Sequence, residues 1–125
     1  MKYFWPVSNS LAALYGAGVV GLAAALMHLW TGLDNSEFGR LLSAICILAF
    51  HALALLTIGR QLAVAVLPKL VVLCWHCGIW LFCWTLLAGV LDLPMYYSAV
   101  APLGGQTLII GWLMLAISAW RKETK

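Results

Sequence analysis

The chain has 125 residues, which leaves room for one domain. Hydrophobic residues make up 65% of it and charged residues 9%, against roughly a quarter charged in a soluble domain. A small soluble fold could not hide that much apolar surface, so a free soluble enzyme, a nucleic-acid binder and a disordered chain are excluded. The remaining class is an all-α, polytopic membrane protein with the bilayer as its first partner. The net charge of +3 is too small and scattered to imply a nucleic-acid partner.

The eleven charged residues leave four uncharged intervals. They predict a bundle of four transmembrane helices at about residues 11–30, 41–59, 69–90 and 103–120, forming a single domain over residues 1–125. Helices are required because lipid offers no partner for an open backbone polar group.

The first span carries Ala13, Ala17, Gly21 and Ala25 at four-residue spacing, a ladder suited to close helix packing, with His28 on the same face. That face is expected to point into the bundle. A cleavable signal peptide would need the apolar run to stop near Ala23–Ala25, and here it continues through Leu29. The segment Asp34-Asn35-Ser36-Glu37 reads as a turn and helix cap ahead of the second span.

His51 lies about two turns from the Gly59 end of the second span, and His76 about two turns into the third. The two spans are antiparallel neighbours, so both imidazoles are expected at similar depth. The third span also places Lys69, His76 and Cys83 on one face. Cys74 and Cys77 form a lone C-x-x-C, without the second pair of a zinc ribbon or the following His of a haem-attachment motif. They read, with Cys46 and Cys83, as small apolar packing residues, and no metal site is expected.

The fourth span presents a stripe of Gly104, Thr107, Gly111, Met114 and Ser118, with Gly105 beside it and Pro102 near its start. The first and fourth spans are expected to pack closely through these two seams.

Six Lys/Arg fall in the N-terminal segment, second loop and C-terminal tail (Lys2, Arg60, Lys69, Arg121, Lys122, Lys125) against Arg40 alone in the first and third loops. The positive-inside rule then predicts both termini in the cytoplasm. Trp30, Tyr96, Tyr97 and Trp120 fit an aromatic belt at the span ends.

An ionisable residue within a span is a functional candidate. His51 and His76 could ligate a haem, bind a quinone or relay protons; the other reading is that each hydrogen-bonds a neighbouring helix and fixes packing. The sequence holds no catalytic motif and no paired carboxylates inside a span, so no enzyme activity and no cofactor are expected.

The stretches Phe50-His51-Ala52-Leu53-Ala54-Leu55-Leu56 and Ala101-Pro102-Leu103-Gly104-Gly105, continuing to Ile110-Gly111-Trp112-Leu113-Met114, together with His28, resemble the YgdD-like family, also called domain of unknown function 423. The resemblance covers about residues 11–120. It implies a small four-helix protein of the bacterial inner membrane, with a mitochondrial relative in animals, and no established reaction. His28, His51, Gly104, Gly105 and Gly111 match the family pattern, whereas His76 does not. Ala23-Ala24-Ala25-Leu26-Met27 replaces a glycine-containing segment, and Phe82-Cys83-Trp84-Thr85 places Trp where the family has Gly. The expected role is a non-catalytic homo-oligomer or accessory subunit of a membrane complex. Haem- or quinone-linked electron transfer through His51 and His76, and transport of a small solute or proton, are the alternatives.

Overall fold

Three of the four prolines occupy one structural position. The helices are α1 (Phe4–His28), α2 (Asn35–Gln61), α3 (Val66–Val90) and α4 (Val100–Trp120). Pro6, Pro68 and Pro102 each stand third in their helix. The first four N–H groups of a helix have no intrahelical acceptor, so a proline there removes nothing. The remaining helix, α2, starts on a reciprocal cap. The Glu37 N–H donates to Asp34 Oδ1 at 2.8 Å, and the Asp34 N–H donates to Glu37 Oε2 at 3.0 Å. The far end of α3 is closed by Asp92, whose φ of 50° lies in the left-handed region. That turn lets the Leu93 N–H reach back to the Ala88 carbonyl at 3.0 Å.

The computed structural model describes residues 3–61, 66–94, 97 and 99–120, with the side chains of all but 59–61, 66, 119 and 120. Lys2, Tyr96, Arg121, Lys122 and Lys125, and the side chains of Arg60 and Trp120, lie outside the described residues. All four helices are long and apolar enough to cross a membrane. All four begin earlier than the charge-free runs predict, α3 at Val66 and α4 at Val100 by less than one turn, α1 at Phe4 and α2 at Asn35 by more. Hydropathy discards Ser8, Asn9, Ser10 and the capped turn at Asp34, whereas a helix needs only its backbone bonds continued.

The helices run up-down-up-down. Ala44 lies opposite Cys83 and His51 opposite Trp75, which makes α2 and α3 antiparallel. Gly104, Leu108 and Gly111 meet Phe82, Gly78 and Trp75 in turn, which does the same for α3 and α4. The end where α1 begins and α4 finishes is called the near end below. The helix interfaces are α1 on α2, α2 on α3 and α3 on α4. The central pair is therefore α2 and α3, with α1 and α4 on opposite flanks.

This arrangement corrects the expected pairing of the first and fourth spans, which form no helix interface among the described residues. The α4 seam is real but faces α3. A Cβ on Gly104 would lie 2.5 Å from the Phe82 backbone nitrogen, and one on Gly111 would lie 2.5 Å from Trp75 Nε1. Thr107 is half-buried, its hydroxyl donating to Leu103 O at 2.8 Å, and Gly105 rests in ordinary contact with the Phe82 ring. The α1 ladder faces outward: Ala13, Ala17, Gly21 and His28 are exposed and Ala25 is half-buried.

The core follows from these contacts. Trp75 is the largest fully buried side chain and belongs to one core cluster with Leu55, Ile58, Val71, Val72 and Leu108. A second, smaller cluster of Leu26, Leu41 and Ile45 closes the far end of α1 and α2.

Candidate functional site

His51 and His76 lie at comparable depth. Each is ten residues from the near end of its helix, or about 15 Å at 1.5 Å per residue. Their rings do not converge on a shared site, because all four ring nitrogens are engaged elsewhere.

His51 is buried on α2, with 3% of its surface exposed. Its Nδ1–H donates to the Ile47 carbonyl one turn back at 2.9 Å. Its Nε2 accepts the Trp112 Nε1–H from α4 at 3.0 Å. An indole nitrogen only donates and a carbonyl only accepts, so these two partners fix the neutral Nδ1–H tautomer. Phe50, Trp75 and Trp112 surround the imidazole with ring centroids 5.5, 5.7 and 5.9 Å away.

His76, on α3, turns the other way. Its Nε2 pairs with Ser8 Oγ at 2.9 Å and its Nδ1 with the Tyr15 hydroxyl at 3.0 Å, both on α1. One hydroxyl donates to the bare nitrogen and the other accepts from the protonated one. Ser8 and Tyr15 are seven residues apart, two turns on one face, so they bracket the imidazole along α1.

The two histidines thus perform matching tasks. α1 packs on α2 and is tied by His76 to α3; α4 packs on α3 and is tied by His51 to α2. Each bond spans a helix pair that makes little backbone contact of its own. In a low-dielectric setting such bonds hold helices in register, because a lost partner leaves a polar group without water to replace it. A haem iron would need one of the two ring lone pairs, and taking it would break the corresponding tie.

Other polar groups are likewise consumed locally. Ser43, Thr57, Thr85 and Thr107 each donate to the carbonyl four residues back, at 2.6–2.8 Å. The Cys83 thiol is buried and points at the Ala44 carbonyl, Sγ···O 3.5 Å. Lys69 and His76 are half-buried on the face they share with it. Cys74 is half-buried, while Cys46 and Cys77 are exposed, and all four cysteines are free. Among the described residues no three His, Cys, Asp or Glu side chains gather as a metal set. Two buried polar atoms there have no hydrogen-bond partner, Asn9 Oδ1 and Trp75 Nε1.

Cavities flank both ties. In the α1–α3 groove one is lined by Tyr3, Phe4, Ser8 and His76, and a second, of about 180 Å3, by Tyr15, Trp80, Cys83 and Trp84. A cleft of about 370 Å3 between α2 and α4 is lined by Phe50, Leu53, Ala54, Thr57, Trp75 and Trp112. The partners Ser8, Tyr15 and Trp112 were not singled out by sequence reasoning as site residues. The seven-residue spacing of Ser8 and Tyr15 carried a usable signal.

The family model described as protein of unknown function (DUF423) matches residues 22–105, more than half of the chain. No curated protein and no solved structure matches the chain.

Proposed function

Since the chain belongs to the DUF423 family, whose function is unknown, we propose a role read from its own surfaces. It is a multi-pass protein of the bacterial inner membrane that performs no chemistry and works by association in the bilayer, first of all with further copies of itself. The charge asymmetry of the loops supports an orientation with the near end in the cytoplasm.

The observation that carries this reading is the outer face of α1. Ser10, Ala13, Ala17, Gly21, Ala24 and His28 form an exposed stripe at three- and four-residue intervals. Val7, Leu14, Val20 and Met27 stand beside it as taller neighbours. Nothing lies within 4 Å of where a Gly21 Cβ would be. The other outer helix supplies the contrast, since α4 presents Leu103, Ile109, Ile110, Leu113 and Ile117 outward. Large side chains suit contact with lipid, whereas small ones let a second helix backbone approach. The engagement of all four imidazole nitrogens inside the chain supports a non-catalytic role.

Purification in mild detergent, with size and absorption measured on the same sample, tests the proposal. An oligomer with no Soret band and no extractable quinone is expected. A stable monomer without co-purifying protein would sink it, and a dithionite-sensitive haem spectrum would replace it with electron transfer.

A further inference from the structure

We propose that the His51–Trp112 bond is a proton-sensitive latch: it ties α4 to α2 while the imidazole is neutral, and lets go when Nε2 takes up a proton.

The geometry leaves the protonated state no way to keep the bond. Nδ1–H is already committed to the Ile47 carbonyl at 2.9 Å, so the single lone pair of the ring is at Nε2. That lone pair accepts the Trp112 Nε1–H at 3.0 Å. A proton delivered by water turns the lone pair into an N–H bond. Two donors then face each other, and an indole nitrogen cannot reverse its role. His76 behaves differently although it lies at similar depth. Its partners are hydroxyls, which both donate and accept, so the Ser8 and Tyr15 contacts survive a change in ring protonation. The latch is therefore specific to one of the two ties.

The bond is well placed to matter. α2 and α4 have no helix interface of their own. They are bridged by this hydrogen bond and by the Phe50–Trp112 ring contact at 5.2 Å. The α2–α4 cleft reaches from these rings past Ala54 to Thr57, toward the near end.

The other titratable groups on the packed elements are few. α2 carries Glu37, Arg40 and Cys46 toward its far end. α3 carries Lys69, Cys74, His76, Cys77 and Cys83, and α1 carries Tyr15 and His28. Among the described side chains α4 has no titratable group. None of these groups is a hydrogen-bond partner of His51, so the ring's own protonation decides the state of the bond.

The test uses the full chain in lipid nanodiscs, with 15N-labelled tryptophan and the seven indole N–H resonances followed by NMR. Trp112 is assigned with Trp112→Phe. As the pH is lowered from about 8 to about 4, the Trp112 resonance is expected to move upfield and lose its protection from exchange. His51→Gln keeps a side-chain carbonyl acceptor that does not titrate, so its Trp112 resonance should hold still, while His76→Gln should leave the response intact. A Trp112 signal unmoved by pH in the wild type, an equal shift in His51→Gln, or a common shift of all the indoles would overturn the latch. The wild-type titration is decisive even if His51→Gln does not fold.

Discussion

Gly104→Ala is the sharpest perturbation of the fold. The added Cβ would stand 2.5 Å from the Phe82 backbone nitrogen and 2.9 Å from both Leu81 C and Phe82 Cα. All three are main-chain atoms inside α3, so no rotamer change can move them. Restoring contacts to van der Waals distance requires α4 to withdraw by about 1 Å, and a gap of that size forfeits a quarter to a half of each contact along the seam. Overpacking of this kind costs about 1–3 kcal/mol, offset by less than about 1 kcal/mol of improved helix propensity. Gly39→Ala, inside α2, is the matched control, since its Cβ meets nothing within 4 Å and it should lose no stability. Unfolding in mixed detergent micelles, followed by far-UV circular dichroism against detergent mole fraction, measures both. Equal stability of Gly104→Ala and wild type, or equal losses in the two variants, would refute the account of the α3–α4 interface.

Two further outcomes follow from single contacts. His76→Ala strands Ser8 Oγ and the Tyr15 hydroxyl between α1 and α3, and should lower stability by about 1–3 kcal/mol in the same assay, with proteolytic nicking of α1 rising before α3 or α4 is touched. Asp34→Ala removes one half of the α2 cap and should cost about 1 kcal/mol, with Asp34→Asn retaining most of it.

Span number, helical class and the depth of the two histidines were legible because they depend on lengths and intervals along one chain. The cap at Asp34 and Glu37 was legible because it is local. Which faces meet was not. Ala13–Ala17–Gly21 and Gly104–Gly111 carry the same small-residue signal, yet one faces outward and the other receives α3. Small-residue spacing says that a helix can be approached closely and does not say by which helix. The pairing is decided by the bulky complement, and Trp75 against Gly111 is the complement that the spacing of α4 alone does not reveal. In the same way His51 and His76 read as a facing pair on adjacent helices. Their rings instead reach across to α4 and α1, because Trp112, Ser8 and Tyr15 supply the donors and acceptors that lipid lacks.

The central claim is that the outer face of α1 is a helix-contact surface. Fluorescence energy transfer between donor- and acceptor-labelled copies in bilayers, measured as the protein is diluted in lipid, tests it most directly. The wild type should retain transfer at high dilution, and Gly21→Leu, which fills open space without touching the monomer's own core, should lose it while keeping the wild-type helix content. Transfer that falls to the random-proximity level in the wild type, or that survives unchanged in Gly21→Leu, would contradict the account.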